Sequence, residues 1–182
     1  MNNDSVPRNA NRSPGFLAPV VVTLIVVALA YAFGGAPLQK ILHAYQKAHL
    51  HWPDVEKIAK STLAVHIHLG VAVFALLLGA LQFMLPKGTR RHRGVGYLWL
   101  SLMLIAAILS FFLRSINHGQ VSLIHLFSIF TLVTVPRIVW HARQGRIAEH
   151  RSLAVSLYIG GLVVTGALAF LPRRLLWPAF FN

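Results

Sequence analysis

Ten histidines are the most numerous side chains in this 182-residue chain that could bind a metal or carry a proton. The chain has no cysteine, which excludes disulfides, thiolate metal sites and iron–sulfur clusters. Its four acidic residues, which all lie outside the long apolar segments, are Asp4, Asp54, Glu56 and Glu149. Proton relays through membrane carboxylates and hydrolysis by paired carboxylates are therefore not expected.

Seven of the histidines lie within or next to apolar segments, and they fall at two depths. Near one surface, called the outer layer, are His66, His68, His118 and His125; near the other, called the inner layer, are His92, His141 and His150. About 15 residues at 1.5 Å per residue separate the layers by roughly 20–25 Å. Because an imidazole at membrane depth is costly, each of these side chains needs a partner or a function.

Helical phase distinguishes the two neighbouring histidines of the outer layer. His68 shares one helix face with small residues and a glutamine, namely Ala72, Ala75, Gly79 and Gln82. Small residues allow helices to approach closely, so this face is expected to point into a helix bundle. His66 lies about 200° around the helix and is the fallback candidate.

Two imidazoles from different helices at the same depth are the axial ligands that a six-coordinate b-type haem requires. The sequence predicts an outer pair, His68 and His125, whose imidazoles would bind the haem iron. It predicts an inner pair, His92 and His150, for a second haem b. A version with a single haem would use the outer pair alone.

Basic residues are concentrated in two short loops beside the inner layer. These residues are Lys87, Arg90, Arg91, Arg93, Arg143, Arg146 and Arg151. The positive-inside rule places both loops, and with them the N-terminus, in the cytoplasm. Guanidinium groups bind carboxylates bidentately, so Arg93 and Arg151 are expected to neutralise the propionates of an inner haem.

The composition predicts an all-α, polytopic membrane helix bundle. The chain is 56% hydrophobic with a mean hydropathy of +0.63, which is typical of an integral membrane protein. Its net charge of +13 occurs in short clusters between apolar runs. That pattern indicates contact with a lipid bilayer and its anionic headgroups, and no binding of nucleic acid.

Five transmembrane helices are predicted, an N-terminal helix and a four-helix core, with an amphipathic interfacial segment between them. The predicted spans are Phe16–Phe33, Thr62–Leu85, Val95–Leu113, Val121–His141 and Ser152–Leu171. The first is longer than a signal-peptide core and is interpreted as a retained anchor. The chain thus divides into a disordered tail (1–15), the anchor and interfacial segment (16–60), the core (61–174) and a C-terminal tail (175–182).

A purely structural role is the alternative for every one of these side chains. A histidine in a membrane helix often only donates a hydrogen bond to a neighbouring helix. This interpretation is preferred for His66, His118 and His141. For Gln82, hydrogen bonding between helices is expected rather than ligation.

Several short motifs resemble a bacterial family of predicted membrane proteins, the domain of unknown function 2306. They comprise the histidine-containing start of the second span, Leu-Gly-Ala-Leu-Gln-Phe at 78–83, His-Arg-Gly-Val-Gly-Tyr at 92–97, His-Arg at 150–151, Leu-Tyr-Ile-Gly-Gly at 157–161 and Leu-Pro-Arg at 171–173. The resemblance covers about two thirds of the chain and implies a four-helix core in the bacterial cytoplasmic membrane. That core is similar, at the level of fold, to di-haem cytochromes b.

Two classes of function follow from these observations. The first is a haem-binding protein that moves electrons across the membrane between a quinol or a redox partner protein and an acceptor. The second is a non-catalytic accessory, assembly or small-molecule transport protein, in which the histidines and arginines are structural. A histidine-based metal or proton pathway is a third and weaker possibility, because no carboxylate lies within a span.

Overall fold

The computed structural model describes residues 38–113, 124–172, 174 and 176–181. The described residues form helices and contain no strand. The helices are α1 (Leu38–Lys47), α2 (Val55–Ala59), α3 (Leu63–Met84), α4 (Arg90–Phe112), α5 (Ile124–Arg143), α6 (Ile147–Leu168) and α7 (Trp177–Phe180). The predicted N-terminal tail, the predicted span Phe16–Phe33 and His118 lie outside the described residues.

Helix α3 matches the predicted second span within one residue at each end. Thr62 precedes it in an extended conformation, and Leu85 ends it in the same conformation. Pro86 follows directly, and a proline disfavours the helical conformation of the residue before it. The α3–α4 turn then uses Gly88, whose φ of 77° suits glycine.

Helix α4 begins five residues before the predicted start at Val95. Thr89 provides the cap, since its hydroxyl oxygen accepts a hydrogen bond of 3.1 Å from the backbone N–H of His92. Arginine is also a good helix former. The basic cluster from Arg90 to Arg93 therefore lies in the first turn of the helix and not in the loop.

Helix α6 also begins earlier than predicted, at Ile147 and not at Ser152. The turn before it contains Gly145 with a φ of 71°, which reverses the chain within three residues. Residues Ile159–Val164 of α6 adopt a π-helical conformation around the glycines at 160 and 161. The helix ends at Leu168, three residues before the predicted end.

Helices α3 to α6 form an antiparallel four-helix bundle. The contacts run from α3 to α4, from α4 to α5, from α5 to α6, and from the π-helical segment of α6 back to α3. Helices α3 and α5 are therefore diagonal partners, as are α4 and α6. The apolar core shared by the four helices comprises Ala75, Trp99, Leu100, Met103, Val135, Ile138, Leu157 and Leu162.

Three of the described helices are long and apolar enough to cross a membrane: α3, α4 and α6. Helix α5 is 20 residues long but is not among these three. Its inner half carries Pro136, Arg137 and His141, which lower its hydropathy. The structure thus describes a membrane protein with several apolar helices.

The outer end of the bundle is where α3 begins and α6 ends. The short helices α1, α2 and α7 form a small unit there, called the cap. The chain between α1 and α2 pairs with α7 through the backbone hydrogen bonds His51 N–H to Phe180 O (3.0 Å) and Asp54 N–H to Ala179 O (2.8 Å). Tyr45 of α1 packs edge-on against Trp177 at 4.8 Å between ring centroids. The interfacial segment and the C-terminal tail therefore form one unit.

Candidate functional site

His68 connects α3 to α4. Its Nδ1 lies 3.1 Å from the carbonyl oxygen of Ala106, which can only accept, so Nδ1 carries the proton. In the neutral ring, Nε2 then has a free lone pair. The face that the sequence assigned to the bundle interior is thus the face that contacts α4.

His66 has a different kind of partner. Its Nε2 lies 2.8 Å from the carbonyl oxygen of Ile58 and 3.2 Å from the hydroxyl of Ser61. Both partners precede α3 in the chain. His66 therefore ties the start of α3 to the α2 segment and contacts no other helix of the bundle through these bonds.

His125, near the outer end of α5, is buried with an exposed fraction of 6%. Its ring lies 5.5 Å from the ring of Phe111 on α4. One turn further along α5, the hydroxyl of Ser128 forms a hydrogen bond with that of Ser110 on α4. His68 and His125 therefore sit at the same end of the bundle on diagonal helices, and each contacts the last two turns of α4.

His92, in the first turn of α4, is held by Gln82 of α3. The Gln82 amide nitrogen lies 3.0 Å from His92 Nδ1 and donates at 2.8 Å to the His92 carbonyl oxygen. The same amide nitrogen lies 3.4 Å from His92 Nε2. Because an amide N–H can only donate, Nδ1 accepts at the shorter of the two contacts, which puts the proton of the neutral ring on Nε2. This tautomer has no lone pair left on Nε2 with which to bind a metal.

His150, in the first turn of α6, resembles His68 in its bonding. Its Nδ1 lies 3.1 Å from the carbonyl oxygen of Ile138 on α5 and therefore donates to it. The Nε2 of the neutral ring is again unprotonated. His92 and His150 lie on diagonal helices at the inner end of the bundle.

The predicted propionate partners, Arg93 and Arg151, are both exposed at the inner end. Within the described part of the chain, the two ion pairs join Asp54 to Lys57 and Glu56 to Lys60, both at the outer end. The guanidinium groups at the inner end are thus accessible to anions.

Three buried polar atoms of the described residues have no hydrogen-bond partner. They are Gln82 Oε1, Trp99 Nε1 and His141 Nδ1. Such atoms call for an explanation, often a water molecule. A structural hydrogen bond was predicted for His141; the side chain is 8% exposed, and its Nδ1 has no partner.

The sequence analysis missed a group of buried hydroxyls. Besides His125 and His141, the buried polar residues of the bundle are Ser110, Ser128, Thr131 and Thr134. Three of these four lie on α5. The sequence does contain one pattern that indicates this group, because polar residues recur every three positions from 125 to 134. Residues three apart are neighbours on the surface of a helix.

Hydrogen bonds identify the ring nitrogen available to a metal in three of the four predicted haem ligands, His68, His92 and His150. No group of three or more histidine or acidic side chains that could hold a metal ion occurs among the residues the structure describes; a haem with two axial imidazoles needs only two. His68 and His150 carry the tautomer of an axial ligand, with Nδ1–H bound to a carbonyl. His92 does not, because Gln82 occupies its Nδ1.

Comparison with known proteins adds a family but no activity. Residues 65–179 match the model of a family described as "Predicted membrane protein (DUF2306)". No curated protein and no solved structure matches the chain. The match covers more than half of the chain, from the first turn of α3 to α7. The chain therefore belongs to the DUF2306 family of predicted membrane proteins.

Proposed function

We propose that this chain is a membrane protein that binds one b-type haem at the outer end of the bundle and transfers electrons. His68 on α3 and His125 on α5 would hold the haem iron. The observation that supports this most is their placement on diagonal helices at one end, because ligands on diagonal helices approach the bundle axis from opposite sides. Haem supplies one-electron redox chemistry, which the side chains of this protein lack.

The hydrogen bond of His68 prepares it for this role. A ligating histidine almost always donates its other ring N–H to a carbonyl or carboxylate, which fixes the ring orientation and tautomer. The bond from His68 Nδ1 to the backbone carbonyl oxygen of Ala106 fixes both the ring orientation and the tautomer, and it needs no second side chain. The ring of His125 packs against Phe111 of α4, with 5.5 Å between the ring centroids.

A second haem between His92 and His150 is a less favoured extension of this proposal. His150 has the required tautomer, and the exposed Arg93 and Arg151 would neutralise propionates. His92 would first have to exchange its hydrogen bond with Gln82 and move its proton to Nδ1. The one-haem form needs no such change.

The wider setting is part of the same proposal. It includes five transmembrane helices, a location in the bacterial inner membrane with a cytoplasmic N-terminus, and anionic headgroups around the inner arginines. Electrons would come from a quinol or a redox partner protein. The similarity of a four-helix core with histidines at both ends to di-haem cytochromes b supports this setting by analogy.

A non-catalytic accessory or transport protein is the second candidate, and tight packing favours it. A Cβ at Gly79 would lie 2.6 Å from Tyr158 Cδ2 and 2.8 Å from Trp99 Nε1. Helices α3, α4 and α6 are thus in close contact around this glycine. In this candidate the bonds of His68, His92 and His150 only hold helices together.

A reduced-minus-oxidised absorption spectrum of the detergent-purified protein, expressed with ample haem, separates the two candidates. We expect a sharp b-type band that is lost in His68→Ala and in His125→Ala. His66→Ala is the matched control, since its partners lie before α3, and it should keep the band. His92→Ala should keep it too. A colourless wild-type protein would contradict haem binding and leave the accessory function.

A further inference from the structure

Buried polar side chains follow α5 through most of its length. His125, Ser128, Thr131, Thr134 and His141 have exposed fractions of 6%, 5%, 4%, 2% and 8%, respectively. They extend over 16 residues, or about 24 Å along the helix. Of the six buried polar or charged residues in the described chain, five are in this series. The sixth, Ser110, contacts it.

In the outer part of the series, the buried polar side chains follow one another at intervals of three residues. Ser110 and Ser128 form a hydroxyl–hydroxyl hydrogen bond between α4 and α5. Residues three apart on a helix have Cβ atoms about 5–6 Å apart, so one water molecule or a rotated hydroxyl can connect Ser128 to Thr131 and Thr131 to Thr134. Hydroxyls suit such a chain because each can both donate and accept.

In the inner part of the series, six residues separate Thr134 from His141, and polar groups lie near this interval. Pro136 lies within α5 and has no N–H, so the carbonyl oxygen of Leu132 loses its helical donor. At the inner end, His141 Nδ1 is buried and has no partner. The nearby charged and titratable groups include His150, bonded to Ile138 O on α5. They also include three exposed arginines, Arg137, Arg143 and Arg146.

A structural explanation accounts for only part of this arrangement. Serine and threonine in membrane helices commonly donate to a carbonyl four residues earlier, and Thr131 does so to Phe127 at 2.9 Å. That preference for a carbonyl partner predicts neither the series along one helix nor the buried His141 Nδ1 without a hydrogen-bond partner at its end. A buried polar atom without a protein partner indicates a water molecule.

We propose that the polar series of α5 is a proton path between the inner end of the bundle at His141 and the Ser110–Ser128 hydroxyl pair near the outer end. A proton enters at the imidazole of His141, and water molecules near the Leu132 carbonyl carry it to Thr134. Each hydroxyl then accepts one proton from its inner neighbour and passes one to its outer neighbour. No bond to carbon changes and no electron is transferred, so an imposed proton gradient or membrane potential is the whole driving force. The path does not depend on haem.

The test measures proton flux into liposomes that contain the purified full-length protein and a trapped pH-sensitive dye. A potassium diffusion potential set by valinomycin drives the protons. We expect the wild-type vesicles to acidify faster than protein-free vesicles of the same lipid. Thr134→Val removes one hydroxyl at nearly constant shape, and the flux should fall about tenfold or more, which corresponds to about 1.4 kcal/mol in the barrier.

Thr165→Val is the matched control, because Thr165 of α6 donates to the carbonyl oxygen of Gly161 and lies outside the series. Thr165→Val should leave the flux at the wild-type value. Thr134→Ser keeps a hydroxyl at this position and should retain most of the wild-type flux. Equal fluxes in wild-type and protein-free vesicles, or equal losses in both valine variants, would overturn the proposal. Thr134→Val is expected to keep any haem band, so the proton path and haem binding can fail separately.

Discussion

His68 Nδ1 lies 3.1 Å from the carbonyl oxygen of Ala106, and this one contact links two helices and fixes a tautomer. The acceptor is a backbone atom of α4, so the contact depends on the position of the helix and not on a second polar side chain. The same relationship occurs between His150 Nδ1 and Ile138 O at the other end of the bundle. Both histidines hold helices together, and both keep Nε2 unprotonated.

We predict that substitutions of His68 distinguish its hydrogen bond between helices from its proposed binding of haem. His68→Phe loses the donor and should destabilise the bundle by roughly 0.6–1.7 kcal/mol, the range for a hydrogen bond between membrane helices. His68→Gln keeps an N–H donor and should recover part of this loss, although it restores no haem band. Equilibrium unfolding in mixed micelles measures the first effect. Equal stability of the phenylalanine variant and the wild type would show that the bond contributes nothing.

We predict opposite effects of alanine at two glycines of the α3–α4 pair. Gly79→Ala places a methyl group 2.6 Å from Tyr158 and 2.8 Å from Trp99, and overpacking of this kind costs about 1–3 kcal/mol. Gly94→Ala is the control, because its Cβ meets nothing within 4 Å. Since alanine favours a helix over glycine by about 1 kcal/mol, this variant should be slightly more stable than the wild type. The same unfolding experiment measures both, and a stable Gly79→Ala protein would contradict the packing described.

Much of the fold could be predicted because hydropathy is a property of long segments. The run from Thr62 to Leu85 gave α3 within one residue at each end. The starts of α4 and α6 were wrong by five residues each, because local hydrogen bonds and turn geometry decide them. Thr89 caps α4 before the apolar run begins, and Gly145 sets the start of α6.

The candidate site was less predictable, because its partners are backbone atoms and neighbouring helices. Helical phase correctly directed His68 towards another helix, but no sequence pattern identifies Ala106 O as the acceptor. The bond between Gln82 and His92 changes which ring nitrogen carries a proton, and it depends on how α3 and α4 align. His125 and His141 lie on nearly opposite faces of α5. Both are buried because α4 and α6 flank this helix.

We predict that acid loosens the cap at the outer end through Asp54. The Asp54 carboxylate accepts from the backbone N–H of Lys57 at 3.2 Å, and this bond lowers its pKa below the usual value of about 3.9. It also pairs with Lys57 Nζ at 3.3 Å, and that ammonium group donates to the carbonyl oxygen of Pro178 in α7 at 3.0 Å. The stabilisation is therefore complete above that value and is lost as the pH falls through the lower, folded-state pKa. Spin labels on Val55→Cys and Pro178→Cys in this cysteine-free chain report the distance between α2 and α7, which should increase below pH 4. With Asp54→Ala the distance should be larger already at pH 7 and change little with acid. An unchanged distance in that variant at pH 7 would show that Asp54 does not hold the cap.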